Sequence, residues 1–415
     1  MFFSVIRVST LLSGVALLLA GHGLQLALIP LRAELMGWSN IAVGVLGSSY
    51  FAGFLLGCFS IPRLVSRIGH IRCFATLSAL LTSAILALAL FDSFTLWMLL
   101  RVLAGVAIAG MYLVIESWLN EMTENEVRGG VLATYTAVVL TALATGQLLL
   151  NAAELDGEKL FIIAASLIAL AAIPICVTRT AQPMQIPSAT FSPLLIFNTS
   201  RAAAVGAMVA GMVTAVYYAL GPAYGLQVGM EISAISSMMA LGIIGGAIVL
   251  LPLGRYSDRR DRRVVILAIM LGGAVVSIVA AFAPIAIVPY LMFVFGACVM
   301  PIQALCLAHA SDNIKDQSFL EVGTGLLVMN ASGAIIGPLA AAQTMQWFGS
   351  GAFFLFNTVI LVCGGLLVLR MIQSRDPTPD GFVKFQAVTT AAAQAALQMD
   401  PRMEITAFEE QSPSP

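Results

Sequence analysis

Residues 264–311, VVILAIMLGGAVVSIVAAFAPIAIVPYLMFVFGACVMPIQALCLAHAS, form a run of 48 residues without Asp, Glu, Lys or Arg. A helix needs about 20 mainly apolar residues to cross the hydrocarbon core of a bilayer, so the run holds two crossings, which Pro284 and Pro289 divide. A membrane β-barrel is excluded because its strands alternate apolar and polar side chains over short segments. The run therefore predicts two membrane-spanning helices.

The rest of the chain has the same character. Of its 415 residues, 60% are hydrophobic and 10% are charged, whereas an ordinary soluble domain carries about 25% charged residues. A second uncharged run, 322–369, is divided at residues 347–350. We predict an all-α polytopic membrane protein with twelve transmembrane spans. The predicted spans are 8–32, 40–61, 71–91, 94–119, 129–153, 159–178, 202–225, 231–254, 263–283, 286–310, 320–345 and 350–372.

Lys and Arg are distributed unevenly between the two alternating sets of loops. One set holds fifteen of them, and the other holds only Arg32 and Lys159. Because basic residues prefer cytoplasmic loops, this asymmetry and the even number of spans predict that both termini are cytoplasmic. The fifteen are Arg7, Arg63, Arg67, Arg72, Arg128, Arg179, Arg201, Arg255, Arg259, Arg260, Arg262, Arg263, Lys315, Arg370 and Arg375.

The two halves of the chain are related by an internal repeat. A shift of 192 residues places Arg67 on Arg259 and Gly53 on Gly245. Parallel repeats of this kind are a transporter architecture, with the substrate site between the halves at mid-depth. The predicted parts are an N-terminal six-helix bundle (1–178), a cytoplasmic loop between the bundles (179–201), a C-terminal six-helix bundle (202–373) and a polar cytoplasmic tail (374–415).

Four short stretches carry a resemblance to a known family. Residues 254–263, GRYSDRRDRR, fit the pattern GxxxDRxxRR, which is similar to the signature loop of the major facilitator superfamily. Residues 50–58 (YFAGFLLGC), 114–121 (VIESWLNE) and 337–342 (GPLAAA) resemble its YcaD-like bacterial subgroup. The resemblance covers about residues 8–372. It implies a secondary active transporter that moves a small organic molecule by alternating access in the bacterial inner membrane, with protons as a candidate coupling ion.

The loop after span 8 is a candidate cytoplasmic gate. Asp258 ends that span, where its carboxylate can reach the free amides at the start of span 5, beside Arg128. Such a latch would exist only while the cytoplasmic side is closed; alternatively, the charges anchor the turn to lipid headgroups. The first half lacks the corresponding acid, and we expect Arg67 to form a structural salt bridge with Glu116 or Glu121. The complete candidate gate is Arg67, Glu116, Glu121, Arg128, Gly254, Asp258, Arg259 and Arg262.

Arg101 is the most informative single residue. It lies about 10 Å inside span 4, where a charge is costly unless it faces protein or water. With Gly105 it resembles the RxxxG motif of proton-coupled family members. His22 and Gln25 share one face of span 1 at similar depth. Since imidazole titrates near neutrality, His22 and Arg101 are the candidates for proton coupling; the alternatives are a packed structural histidine and an arginine that binds an anionic substrate group.

Other polar side chains predict the rest of a substrate cavity. Each one alone is more often a contact between helices than a contact to a ligand. Together they predict a mainly apolar pocket with hydroxyls and amides, which suits an amphiphilic or aromatic compound. The candidate cavity residues are His22, Gln25, Arg101, Tyr112, Tyr217, Tyr218, Tyr224, Gln303 and Asn330.

The sequence contains no pattern of an enzyme, a metal site or a cofactor site. Its three histidines, His22, His70 and His309, lie on separate segments, and its six cysteines form no CxxC pair. We therefore expect no catalytic residues, no cofactor and no nucleic-acid partner. The expected partners are the lipid bilayer and a small-molecule substrate, and the expected oligomeric state is a monomer.

Two alternative functions remain open from the sequence. The first is a protein of the same fold that acts as a sensor or as an assembly factor of a membrane complex, without transport. The second is a drug:proton efflux pump. The Gly-Pro of the antiporter signature on helix 5 is absent, since Gly146-Gln147 is followed by three leucines. Span 11 does carry Gly333-x-x-x-Gly337-Pro338, which close helix packing explains equally well.

Overall fold

The structure, a computed structural model, describes most of the chain. The described residues are 2–122, 128–177, 196–197, 199–312 and 319–373, without the side chains of residues 2–8, 122, 128–129 and 319–320. Within these ranges the secondary structure is entirely helical, which confirms the predicted all-α class. Most of the predicted loop between the bundles and the whole of the predicted tail lie outside the described residues, so their assignment stays a prediction.

Twelve helical spans are long and apolar enough to cross a membrane. In chain order the helices are α1 (Phe2–Leu35), α2 (Asn40–Ile68), α3 (His70–Leu90), α4 (Phe94–Met122), α5 (Arg128–Leu148), α6 (Lys159–Val177), α7 (Arg201–Gln227), α8 (Ile232–Ser257), α9 (Arg262–Phe282), α10a (Val288–Val299), α10b (Ile302–Asp312), α11 (Phe319–Phe348) and α12 (Ala352–Gln373). Short 3₁₀ turns, Leu149–Ala152 and Ile285–Ile287, follow α5 and precede α10a.

Several predicted helix boundaries and one predicted helix differ from the structure. The predicted end of α2 at residue 61 is too early, because Pro62 is accommodated inside the helix, which continues to Ile68. α8 likewise contains Pro252 and continues to Ser257, beyond the predicted residue 254. Helices in membranes tolerate proline where neighbouring helices satisfy the freed carbonyls. Span 10 was expected to be continuous over 286–310, but it breaks into α10a and α10b at Pro301, which has no N–H to donate.

The internal repeat is visible in the packing of the two halves. Gly53 on α2 lies against the Val102 carbonyl of α4, and Gly245 on α8 lies against the Phe293 carbonyl of α10a. The turns after α1 and α7 each contain a glycine with positive φ, Gly37 at 73° and Gly229 at 79°, and these two are again 192 residues apart. The same small residues therefore set the same close approaches in each six-helix bundle.

The two bundles meet through four helix pairs, α2 with α11, α5 with α8, α1 with α7 and α2 with α7. One end of the molecule carries Arg67, Arg72, Arg255 and Arg259, and we call it the basic end. The other carries the turns at 36–39 and 228–231, and we call it the distal end.

At the distal end the two bundles are joined by side-chain hydrogen bonds. Ser48 Oγ donates to the Ile335 carbonyl at 2.6 Å, and Asn151 Nδ2 donates to Ser236 Oγ at 2.8 Å. Gln227 Nε2 donates to Glu34 Oε2 at 3.0 Å and to Asn40 Oδ1 at 2.6 Å. Beside Ser48, Gly47 of α2 packs directly on Ala219 of α7, so these two helices from different bundles are in close contact. The distal end is therefore closed in this structure.

Candidate functional site

A cavity of about 130 Å³ lies between the two bundles. Its wall is supplied by α1, α2, α4 and α5 of the N-terminal half and by α7, α8, α11 and the end of α10a in the C-terminal half. His22, which lines it, is thirteen residues from each end of the span Ser9–Leu35 and thus lies at mid-depth. Most wall residues are aliphatic or aromatic. The polar ones are His22, Tyr50, Tyr112, Thr214, Tyr218 and Asn330.

His22 is held between two polar neighbours inside the N-terminal bundle. Gln25 Nε2 lies 2.7 Å from His22 Nδ1, and the Tyr50 hydroxyl lies 3.1 Å from His22 Nε2. With the Gln25 amide in this orientation its nitrogen donates to Nδ1, and the arrangement corresponds to an imidazole that carries its proton on Nε2. Nε2 then donates to the Tyr50 oxygen, so the Tyr50 hydroxyl keeps its own hydrogen for a molecule in the cavity.

Arg101 contacts the ring of Tyr50. Its guanidinium carbon is 4.5 Å from the centre of the Tyr50 ring, and its Nε donates to the Leu46 carbonyl over a long 3.4 Å. The residue is 4% exposed, and its Nη1 is buried without a hydrogen-bond partner among the described residues. This placement follows from the RxxxG spacing: Gly105, one turn further on, lies against the Tyr50 carbonyl and brings α4 close to α2.

Arg101 lines a second and much smaller cavity, of about 10 Å³, next to the central one. Leu26, Phe51 and Tyr218 belong to the walls of both cavities. Gly47 and Ala219, which close the distal end, form part of its wall. Arg101 therefore lies between the central cavity and the distal closure, behind three side chains.

The structure brings together some predicted cavity residues and separates others. Tyr112, Tyr218 and Asn330 line the central cavity, as His22 does. Asn330 Nδ2 donates to Gln303 Oε1 at 3.2 Å, so Gln303 supports Asn330 from behind. Gln25 likewise supports His22.

Tyr217 and Tyr224 lie away from the cavity. The Tyr217 hydroxyl donates to the Met239 carbonyl and thereby joins α7 to α8. Tyr224 stacks on Phe353 with ring centroids 5.2 Å apart and contacts Phe354 edge-on. Both tyrosines therefore connect helices instead of facing the cavity, in contrast to the expectation from the sequence.

Tyr50 is the functional candidate that the sequence prediction missed. It belongs to the YFAGFLLGC stretch, but it carries no charge that would distinguish it from the other residues of an apolar span. The detectable signal was spacing: Tyr50, Gly53 and Gly57 share one helical face at i, i+3 and i+7, and the two glycines are the contact with α4. A polar aromatic residue on that face is directed toward Arg101.

At the basic end, Arg262 is the centre of a buried ionic cluster. Its guanidinium is 2.9 Å from Asp258 Oδ1 and 2.7 Å from Asp312 Oδ2, and it donates to Ser257 Oγ at 2.9 Å. The side chains of Arg262 and Asp312 are fully buried. The signature loop is therefore fastened to α10b within the C-terminal bundle, and Asp258 takes part in this cluster through Arg262.

A second ion pair stabilises the same loop. Asp261 caps the start of α9 by accepting from the Arg263 amide, and Arg263 Nη2 lies 2.9 Å from Asp261 Oδ2. Burial of the Asp261 carboxyl raises its pKa, but the hydrogen bonds and charge of Arg263 outweigh burial and hold the pKa below its usual value. Asp261 is thus ionised at neutral pH, which keeps the loop closed on itself.

The remaining gate candidates do not assemble as expected. Arg67 and Glu121 are exposed, whereas Glu116 is 2% exposed and accepts a hydrogen bond from the Tyr135 hydroxyl at 3.1 Å. The expected salt bridge from Arg67 to either glutamate is not formed, because burial places Glu116 out of reach of an exposed guanidinium. Arg259 is also exposed, and the Arg128 side chain lies outside the described residues.

Comparisons with known proteins agree with this architecture. The family model of the Major Facilitator Superfamily matches residues 11–320 and 203–407. The MFS-type transporter YcaD of Salmonella typhi is 28% identical over 383 residues, which are 90% of this chain and 97% of that protein.

Solved transporter structures have the same fold. The nucleoside transporter NupG superposes with a TM-score of 0.71 at 13% identity, covering 89% of this chain and 100% of NupG. A bacterial homologue of the human lysosomal transporter Spinster, in an inward-facing and occupied conformation, gives a TM-score of 0.70 at 15% identity, with 90% and 98% of the chains covered. From the family match and the fold together, the chain belongs to the Major Facilitator Superfamily.

Proposed function

We propose that the protein is a secondary active transporter that moves a small organic molecule by alternating access. The observation that carries the proposal is the mid-depth cavity that both bundles line and that is closed at the distal end. A site shared by two pseudo-symmetric bundles can be exposed to either side of the membrane when the bundles rock against each other. Membership of a transporter superfamily supports the same function.

The orientation in the membrane is part of the proposal. The excess of Lys and Arg favours a cytoplasmic location for the basic end and for both termini, in the inner membrane of a bacterium. In that orientation the structure is closed toward the outside. On the side of the basic end, the cavity wall includes Leu140 of α5 and Leu250 of α8, which pack together with Ala304 of α10b.

The wall of the cavity limits the kind of substrate. Aliphatic and aromatic side chains dominate it, and the tyrosine hydroxyls and the Asn330 amide supply directional hydrogen bonds. Such a lining favours an amphiphilic or aromatic molecule over a highly charged or sugar-like one.

Proton coupling through His22 is proposed on the geometry of its neighbours. Gln25 Oε1 is buried without a described partner. If the Gln25 amide rotates by half a turn, Oε1 replaces Nε2 beside Nδ1 and accepts from a protonated imidazole, while Tyr50 continues to accept from Nε2. The pair therefore accommodates both the neutral and the protonated ring.

A disulfide across the distal end tests the transport proposal directly. In a cysteine-free background, Ser48→Cys and Ile335→Cys place two thiols where Ser48 now contacts the Ile335 backbone. In proteoliposomes loaded with a panel of labelled amphiphiles, oxidation should abolish exchange and a reductant should restore it, because exposure to the outside requires this contact to open. Undiminished exchange by the cross-linked protein would reject alternating access. The single variants are the controls.

A further inference from the structure

A charged group that has no counter-ion among the described residues lies next to the central cavity. Among the described residues, the salt bridges are those of Arg262 and Arg263, and Arg101 takes part in none. Its described partners are the face of the Tyr50 ring and one long hydrogen bond to a helix carbonyl, while Nη1 has none. A cation that is removed from water costs several kcal/mol unless an anion and hydrogen bonds compensate it.

The described acids near this region are already engaged elsewhere. Glu116 is on the same helix but fifteen residues further on, about 22 Å along the axis, and it accepts from Tyr135. Glu34 lies at the distal end, where it accepts from Gln227 of the opposite bundle. A counter-ion for Arg101 must therefore come from outside the described part of the protein.

We propose that this counter-ion is the substrate, so that the transported molecule is an apolar organic monoanion. Its carboxylate, or an equivalent singly charged group, pairs with Nη1 of Arg101, and its apolar body occupies the central cavity. This inference rests on the proposed transport function and adds the chemical class of the substrate. One positive charge in an apolar site is neutralised by one negative charge, which excludes dianions such as phosphate monoesters.

The path from the central cavity to Arg101 is short. Leu26, Phe51 and Tyr218 line both cavities, and we expect rotation of the Phe51 and Tyr218 rings to join the two. Tyr218 belongs to α7 and Arg101 to α4, so an anion bound there contacts both bundles next to the distal closure at Gly47 and Ala219. Binding at this point is thus coupled to the contact that must open for exchange with the outside.

A purely structural arginine would behave differently from an empty anion site. If Arg101 served to hold α2 and α4 together, Arg101→Met would lower the melting temperature of the unliganded protein. If Arg101 is an uncompensated charge, the same change removes the cost of burying it and leaves the melting temperature unchanged or higher. Methionine keeps most of the buried aliphatic volume, so the comparison isolates the charge.

The test uses the full-length protein in nanodiscs and pairs of probes that differ only in charge. Benzoate, 4-phenylbutyrate and decanoate are compared with benzamide, 4-phenylbutanamide and decanamide by thermal shift. We expect the carboxylates to raise the melting temperature with saturation and the amides to have no effect. Arg101→Met should weaken carboxylate binding at least about thirtyfold, the loss typical of truncating one partner of a buried charge pair. Tyr224→Phe, outside the cavity, should bind like the unmodified protein.

The assignment is overturned if no carboxylate shifts the melting temperature, if the amides bind as well, or if Arg101→Met binds the carboxylates unchanged. It is also overturned if Arg101→Met lowers the melting temperature of the unliganded protein. None of these results affects the distal-end disulfide experiment. If cross-linking stops exchange but the thermal-shift experiment shows no preference for carboxylates over amides, the proposed substrate class alone is rejected. If the cross-linked protein still exchanges substrate, transport by alternating access is rejected.

Discussion

At the residue scale, three side chains from three helices make up the core of the candidate site. Tyr50 of α2 contacts His22 of α1 through its hydroxyl and Arg101 of α4 through its ring. The two contacts use different parts of the tyrosine, so substitutions separate them. An imidazole and a guanidinium that has no carboxylate partner among the described residues thus contact the same tyrosine.

Replacing Tyr50 should therefore give two different results. Tyr50→Phe keeps the ring under Arg101 and removes one hydrogen bond, so the free energy of unfolding should fall by about 1 kcal/mol. Tyr50→Ala also removes the buried ring and should cost about 3 kcal/mol or more. Denaturant unfolding in detergent micelles measures both. Equal losses for the two variants would show that burial of the Tyr50 ring contributes nothing to stability.

His22→Gln should abolish proton movement that accompanies transport, because glutamine fills the position without a titratable ring. The measurement is the internal pH of dye-loaded proteoliposomes while a transported compound enters. His70→Gln is the matched control, since His70 is also buried but stacks on Trp118 of the same bundle. If substrate-linked pH changes persist in His22→Gln, another group carries the proton.

At the element scale, the loop between α8 and α9 determines how the basic end is held together. Arg262 connects Asp258 in the loop with Asp312 at the end of α10b. Composition alone indicated a basic loop on the membrane surface, but the structure buries its central arginine. The Pro301 break lies just before α10b, so this short helix is positioned by its ion pair with Arg262 as well as by packing.

Removing Arg262 should be far more damaging than removing a neighbouring exposed arginine. Arg262→Ala leaves the fully buried Asp312 carboxylate without this cation and should lower the free energy of unfolding by about 3 kcal/mol. Arg259→Ala should change it by less than about 0.5 kcal/mol, since that side chain is exposed. Thermal unfolding of the two variants measures both losses of stability. Similar losses for Arg262→Ala and Arg259→Ala would contradict a stabilising role for the buried ionic cluster.

The proposed latch makes a separate prediction for Asp258. Asp258→Asn weakens charge-dependent contacts at the basic end by about 1 kcal/mol, which corresponds to roughly a fivefold shift between two states. Labelling of Leu250→Cys by a membrane-impermeant maleimide should accelerate accordingly when the reagent is supplied to the basic end. Asp261→Asn is the control, because Asp261 pairs with Arg263 inside the loop. Unchanged labelling in Asp258→Asn would exclude the latch.

At the scale of the whole molecule, the fold was predictable and the site only partly so. Long apolar runs with few or no charges mark the twelve spans, and the repeat between Gly53 and Gly245 marks the two bundles, because both depend on residue type alone. Which side of a helix faces a cavity depends on its rotation. α7 is buried on nearly all sides, so periodicity could not separate Tyr218, which lines the cavity, from Tyr217, which contacts α8.

Polar pairing across helices was also beyond the reach of sequence. Arg67 and Glu116 have suitable charges and lie toward the same end, but exposure of one and burial of the other keep them apart. Arg101 was identified because a charge inside a span is rare. Its neighbour Tyr50 was missed because a tyrosine inside a span is common.

The central claim is that the two bundles alternate around the cavity, and the distance between them at the distal end tests it most directly. Spin labels at Leu35 and Glu231 measure a distance between the two bundles. Labels at Leu35 and Glu154 measure a distance within the N-terminal bundle. The account predicts two distance populations for the first pair in nanodiscs, whose ratio changes when a carboxylate probe binds, and one population for the second. A single short distance for the first pair under all conditions would contradict alternating access and favour a sensor or assembly role.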